Sequence, residues 1–188
     1  RLFSFVAASV GLLLTVPFYP IIAAAIWIDD PGNVFFKQER LGWNGGRFTL
    51  IKFRTMRSSP RDGRAGAWMK VGLPDAELDR VTRVGAFMRR HRVDELPQLW
   101  NVLTGDLNAV GPRAETPRAF EERAKGIEGY GSRLVVVPGM AGWGLLNEYS
   151  DMYAKLQYDM YYIKHRSFRF DLYIFVATAL RITLGTLK

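Results

Sequence analysis

The residues best suited to chemistry lie in one run, Arg89-Arg90-His91-Arg92-Val93-Asp94-Glu95-Leu96-Pro97-Gln98-Leu99-Trp100-Asn101. Adjacent carboxylates, Asp94 and Glu95, follow closely on Arg89, Arg90 and Arg92. A carboxylate beside arginines stays ionised. It can then serve as a nucleophile or a magnesium ligand, with the cations beside it holding phosphate. The same residues also suit a purely structural role, with Asp94 as a helix N-cap and Glu95 and Pro97 in the first turn. Two further segments bring cations. Gly111-Pro112-Arg113 fixes the approach of the chain to Arg113, which can grip phosphate bidentately. Lys52-Phe53-Arg54-Thr55-Met56 leaves a predicted strand, and strand alternation puts Lys52 and Arg54 on one face and Phe53 on the other.

Positioning these groups falls to short elements. Val34-Phe35-Phe36 and Phe48-Thr49-Leu50-Ile51 read as two strands, with Gly42, Gly45 and Gly46 between them, and predict a hairpin. Residues 58–75 read as an exposed loop. Helices are expected over 78–90, 96–103, 117–125 and 153–164, and Val135-Val136-Val137 is expected to be extended. A last apolar segment, 170–184, is short for a membrane span and suits a core or interfacial helix.

The composition narrows the chemistry. The chain has 188 residues, no cysteine and two histidines. A disulfide framework, a cysteine-zinc site and thiol catalysis are thereby excluded, and a multi-histidine metal site nearly so. His91 and His165 are not expected to act in catalysis, and Asp29-Asp30 reads as an exit turn rather than a metal site. The net charge of +8 points to an anionic partner. All of that excess lies between Lys37 and Arg92, where 14 basic and 5 acidic residues give +9.

Directly before this block, Leu2 to Ile28 carries no charge. About 20 apolar residues suffice to cross a bilayer as helix, and the basic block beside it predicts a cytoplasmic flank. Pro17 and Pro20 predict a kink or break within the run. A kinked spanning helix and a re-entrant helix-break-helix both satisfy this pattern, and Arg1 at the other end favours two cytoplasmic ends. A cleaved secretory signal fits less well, because Ile26-Trp27-Ile28 continues the apolar run past Ala23-Ala24-Ala25. Arg1 is not a methionine, which leaves room for upstream residues, further membrane helices among them.

At this point the sequence resembles the bacterial sugar transferases, the monotopic phosphoglycosyltransferases. The resemblance rests on the Pro-broken apolar segment, Gln38-x-Arg40-x-Gly42, Lys52-Phe53-Arg54-Thr55-Met56 and Thr82-Arg83-Val84-Gly85. It continues through Asp94-Glu95-Leu96-Pro97-Gln98-Leu99-Trp100-Asn101, Gly105-Asp106, Val110-Gly111-Pro112-Arg113, Pro138-Gly139-x-x-Gly142-Trp143 and Tyr158-Asp159-x-Tyr161-Tyr162. Each string alone is weak, and the ordered set is specific.

The resemblance implies transfer of a phospho-sugar from a UDP-sugar to polyprenyl (undecaprenyl) phosphate, releasing UMP. Asp94 would be the nucleophile and Glu95 its partner in an acidic dyad that also holds Mg²⁺. Arg113, Arg89, Lys52 and Arg54 would bind substrate phosphate. The implied fold is α+β and mainly helical, with a small antiparallel β element and amphipathic interfacial helices. Residues 1–28 would form a re-entrant membrane helix broken at Pro17 and Pro20. Residues 29–188 would form a catalytic domain on the cytoplasmic face of the bacterial inner membrane. The partners are then the UDP-sugar, the lipid phosphate and the phospholipid membrane, not nucleic acid, with homo-oligomerisation left open. Three positions depart from the family pattern: Tyr19 stands for the usual serine, Val137 for arginine or lysine, and Leu145 for glutamine. A membrane-anchored basic adaptor and a catalytically dead homologue are the rival readings. The first would need the basic block but not Asp94, and Val137 and Leu145 motivate the second.

Overall fold

The computed structural model describes residues 1–57, 80–147 and 149–184. The loop expected at 58–75 and the first residues of the helix expected from Leu78 lie outside that range.

The apolar N-terminus is helical throughout. Helix α1 (Leu2–Thr15) passes through a 3₁₀ turn at Val16–Phe18 into α2 (Tyr19–Asp29). Pro17 lies in the 3₁₀ turn and Pro20 in the first turn of α2, where it is tolerated. By length and composition Leu2–Asp29 is able to cross a membrane. One stripe packs on the rest of the protein through Ser4, Ala8 and Ile26. The opposite stripe leaves Leu2, Leu13, Leu14, Ile21 and Ile28 exposed.

The expected hairpin is present and longer than the apolar runs suggested. Strands β1 (Phe35–Leu41) and β2 (Arg47–Phe53) pair antiparallel, with Phe35 opposite Phe53 and Leu41 opposite Arg47. Its connection carries Asn44 and Gly45 at positive φ. Beyond it come α3 (Arg83–Arg90), a 3₁₀ turn at Val93–Glu95 and α4 (Gln98–Thr104). Asp94 therefore belongs to the 3₁₀ turn and is not the N-cap of α4, a place that Pro97 takes.

The second sheet was not foreseen. Strands β3 (Asn108–Val110) and β4 (Gly139–Ala141) are parallel and too short to show alternation. Helix α5 (Pro117–Gly126) lies between them in sequence. Val135 ends a 3₁₀ segment that begins at Tyr130, and Val136 is extended. The glycines at this crossing are dictated by distance, since a Cβ on Gly139 would lie 2.0 Å from the Gly111 nitrogen. Short α6 (Trp143–Leu146) and the longer α7 (Met152–His165) and α8 (Phe168–Thr183) follow.

Among the described residues three apolar clusters hold these pieces. Ala8, Leu50, Val102, Leu107 and Ala114 join α1 to β2 and α4. Ile26, Phe53 and Met88 join α2 to β2 and α3. Val110, Ala141, Tyr162 and Ile174 join the parallel sheet to α7 and α8. The chemistry-bearing turn at 93–95 packs Val93 on the second of these clusters, between β2 and α4.

Candidate active site

Close packing and one unusual backbone conformation set the dyad. The Thr82 hydroxyl caps α3 by accepting from the Gly85 amide at 2.9 Å, which satisfies a donor the helix leaves free. Gly85 lets α3 lie on the backbone of Thr55, because a Cβ there would fall 2.1 Å from the Thr55 carbonyl oxygen. One turn later Arg89 donates to the Thr55 hydroxyl at 2.9 Å. The helix ends at His91, and Arg92 adopts a left-handed φ of 56°. A non-glycine residue in that region costs about 1–3 kcal/mol. Its effect is to turn the chain at once into the 3₁₀ turn that carries Asp94 and Glu95.

The facing strand is held by Asn101, only 2% exposed. Its side chain accepts from the Ile51 amide at 3.1 Å and donates to the Thr49 carbonyl at 2.8 Å. These bonds replace the missing neighbour on the edge of β2 and fix α4, and the turn before it, opposite Lys52.

Glu95 is the electrostatic hub. Its Oε1 accepts from Arg113 at 2.9 Å, from Lys52 at 3.1 Å and from Arg92 at 3.4 Å. Burial alone would raise its pKa, but the three cations outweigh it and hold the carboxyl down at about 2. Glu95 is thus a fixed anion at neutral pH. Lys52 is drawn the other way by burial, below the ordinary lysine value, against the pull of Glu95.

Asp94 is equally buried, at 7% against 8%, yet its carboxyl is shifted in the other direction. Among the described residues no donor bonds its carboxylate. Burial, and then the charge on Glu95, push its pKa up, against Lys52, Arg89 and Arg92. The dyad therefore contains one carboxylate saturated with cations and one left for a ligand.

The donor set suits magnesium in one way only. Among the described residues no group of three or more His, Cys, Asp or Glu could hold a metal. Mg²⁺ instead keeps several waters and takes one or two carboxylates plus substrate phosphates. Asp94 offers free oxygens for that coordination, and Glu95 would have to share itself with three cations.

Arg113 reaches the dyad from the parallel sheet. Its side chain remains 44% exposed while it bonds Glu95. Its backbone carbonyl accepts from Arg133 at 3.0 Å. Arg133 belongs to a second charged cluster, around Glu115. There Glu115 Oε1 contacts Lys155 at 2.5 Å, Arg123 at 2.6 Å and also Arg133, while Tyr130 donates to it at 2.7 Å. Burial is again overcome, by Arg133 first and then by these bonds, and Glu115 falls to about 2. Asp159 lies 2.7 Å from Arg133.

Of the phosphate-binding residues read from the sequence, Lys52 and Arg113 meet at Glu95, and Arg89 stands close enough to act on Asp94. Arg54 is placed elsewhere. It is buried and bonds Asp30, through the carboxylate at 2.5 Å and through the carbonyl, while Asp29 accepts from the Val84 amide at 2.7 Å. The strand ends at Phe53, so the alternation that paired Lys52 with Arg54 does not extend that far. The Asp29-Asp30 pair ties the end of α2 to the domain, as an exit turn should. His91 packs on Phe87, and His165 Nδ1 lies 2.9 Å from the Tyr161 carbonyl; neither meets the dyad. Leu145 lines a cleft together with Arg113, Tyr149, Lys155 and Asp159.

Sequence reasoning did not single out Arg92 as a partner of Glu95, although its place three residues earlier was a signal for it. It also missed the Glu115 cluster, whose members are scattered from 115 to 159.

The bacterial sugar transferase profile matches residues 1–185. The chain is 35% identical over 184 residues to a UDP-glucose:undecaprenyl-phosphate glucose-1-phosphate transferase of Xanthomonas campestris pv. campestris, covering 94% of this chain and 37% of that protein. It is 36% identical over 185 residues to a UDP-N-acetylgalactosamine-undecaprenyl-phosphate N-acetylgalactosaminephosphotransferase of Aeromonas hydrophila, covering 95% and 42%. An exopolysaccharide production protein of Rhizobium leguminosarum bv. phaseoli is 35% identical over 191 residues, covering 95% and 92%. The chain thus spans about two fifths of the length of the first two curated relatives.

Proposed function

The chain belongs to the bacterial sugar transferase family, and on that premise we propose that it transfers a phospho-sugar from a UDP-sugar to undecaprenyl phosphate, as the names of its relatives describe for them. The observation that carries this reading is the division of labour in the dyad, an Asp94 that no donor among the described residues bonds beside a Glu95 held by three cations.

In the first step an Asp94 oxygen attacks the phosphorus that bears the sugar. A carboxylate–phosphorus bond forms, the bond from that phosphorus to the bridging diphosphate oxygen breaks, and UMP leaves with that oxygen. In the second step a phosphate oxygen of the lipid attacks the same phosphorus and Asp94 leaves as carboxylate. A phosphate monoester has a second pKa near 6, so the lipid acceptor is largely a dianion at neutral pH. It needs little base catalysis and much charge neutralisation. Lys52, Arg92 and Arg113 supply that charge from fixed positions. Glu95, with a carboxyl at about 2, is too weak a base to take a proton at pH 7. Its role is to hold the cations in register beside Asp94. Bound magnesium, with Asp94 and the dyad edge as its protein ligands, would neutralise diphosphate oxygens.

The N-terminal helix is read as re-entrant. Ser4 accepts from the Ala109 amide and Asp29 from the Val84 amide, so both ends of the apolar segment are fastened to one body. The exposed stripe between them is the face offered to lipid, with the domain on the cytoplasmic side of the inner membrane.

The test is UMP release from a panel of UDP-sugars with undecaprenyl phosphate and magnesium, together with intact-mass measurement before the acceptor is added. Turnover and a phospho-sugar adduct that Asp94→Asn abolishes are expected. Undiminished turnover in Asp94→Asn would sink the covalent reading.

A further inference from the structure

Beside the dyad lies a narrow cleft whose lining is richer in donors than its contacts require. Arg40, Leu50, Lys52, Gln98, Leu107, Arg113, Ala114 and Gly139 surround it. Gln98 is 5% exposed, and its amide nitrogen is buried without a hydrogen-bond partner among the described residues. Arg40 spends its two terminal nitrogens on the Ala114 carbonyl at 3.0 Å and on Gln38 at 2.6 Å, which leaves its Nε buried and, among the described residues, unpartnered as well. A buried donor left without an acceptor is costly, and two of them line one cleft with two cations. Such a set of donors is completed by an oxygen anion.

We propose that this cleft is a phosphoryl-oxygen subsite in which Gln98 Nε2 and Arg40 Nε, with Lys52 and Arg113, bind the phosphate that is not bonded to Asp94. Gln98 lies one helical turn beyond Asp94, and Lys52 and Arg113 both bond Glu95. The cleft therefore lies beside the atoms that react. Resting on the transferase reading, the subsite would take a phosphate monoester, either that of the departing nucleoside monophosphate or that of the lipid acceptor.

Gln98→Leu keeps the volume and removes the donor. The full chain and this variant are compared by calorimetric titration with orthophosphate, with UMP against uridine, and with geranyl phosphate against geraniol. A lost hydrogen bond to a charged group predicts a tenfold to hundredfold weaker affinity for the phosphate-bearing probe. Uridine and geraniol should bind both proteins alike. The ligand-free variant should melt no lower than the wild type, because an unsatisfied donor has been removed. A purely structural Gln98 would instead lower the melting temperature and weaken every probe together. Loss confined to UMP assigns the subsite to the nucleotide phosphate, and loss confined to geranyl phosphate assigns it to the lipid. UMP and geranyl phosphate bound equally by both proteins would overturn the subsite and leave the transferase reading standing. Gln98-dependent orthophosphate binding in a protein that ignores UMP would keep the subsite and overturn the UDP-sugar reading.

Discussion

Two buried clusters of acids and bases sit on either side of Arg113, and they are built from almost the same parts. Each has a glutamate whose carboxyl is held at about 2 by surrounding cations, Glu95 in one and Glu115 in the other. Each has an aspartate whose pKa burial raises, Asp94 and Asp159. They differ in one relation. Asp159 lies against Arg133, whereas no donor among the described residues bonds Asp94. Burial of charge and a shifted pKa accompany both a structural lock and a reactive site. What separates them is pairing: Asp159 has a cation at ion-pair distance, and among the described residues Asp94 has none. The glutamate cluster at 115 pairs both of its acids with its own cations and braces the carbonyl of Arg113, while the dyad pairs only Glu95.

The strongest way to break this comparison is to neutralise each special carboxylate in turn. Asp94→Asn should lower UMP release by at least about 10⁴-fold, since removal of a covalent nucleophile costs up to about 10⁶. It should leave the melting temperature unchanged or raised. The sign follows from the shift: an acid whose folded pKa is raised opposes folding as pH rises through that range, and asparagine removes the opposition. Glu115→Gln should do the reverse. It strands Arg133, Lys155 and Arg123 around a neutral amide, and breaking a buried ion pair costs about 3–5 kcal/mol. Chemical denaturation should show that loss, and activity per folded molecule should fall much less than in Asp94→Asn. A Glu115→Gln protein as stable as wild type would remove the structural half of the contrast.

Acid titration probes what the clusters share. Glu95 and Glu115 have folded pKa values of about 2 against 4.5 in the unfolded chain. Depressed acids stabilise the fold fully above the unfolded value, and that stability is lost as pH falls from about 4.5 to about 2. For Glu95 the difference corresponds to about 3 kcal/mol. The stability gap between wild type and Glu95→Gln, measured by urea unfolding, should therefore be constant from pH 7 to about 5 and close below 4.5. A gap that widens on acidification would show that Glu95 is not the cation-held carboxylate.

The sequence made one cluster visible and hid the other for a physical reason. Asp94, Glu95 and their arginines are adjacent along the chain, and the glycines and prolines around Arg113 mark a close backbone approach. The hairpin was legible because its apolar runs are separated by glycines. Glu115, Arg133, Lys155 and Asp159 come from four separate segments and meet only through packing. Strands β3 and β4 have three residues each, too few to display alternation. Arg92 was in plain view, but its left-handed backbone, which swings Asp94 out of the helix-capping role, has no signature in residue type. The same limit explains Arg54, whose place beside Lys52 suggested a shared face that the end of the strand does not provide.

Arg54 gives the smallest and most selective test, because it asks whether a cation in the motif belongs to the open cluster or to the scaffold. Its side chain is 9% exposed and that of Asp30 23%, and the pair closes the turn where the apolar helix joins the domain. Loss of one partner from a charged hydrogen bond in such a setting costs about 1.5–3 kcal/mol. Arg54→Gln and Asp30→Asn should each destabilise by that order. The double variant should cost about as much as either alone, since contacting residues are not additive. The KM for the UDP-sugar should stay within about twofold in all three, while Lys52→Gln, which removes a cation from Glu95, should raise it about tenfold or more. If Arg54→Gln raises KM as strongly as Lys52→Gln, while Asp30→Asn does not, then Arg54 works on substrate phosphate. The line between scaffold and site would then have to be moved from Phe53 to the far side of Arg54.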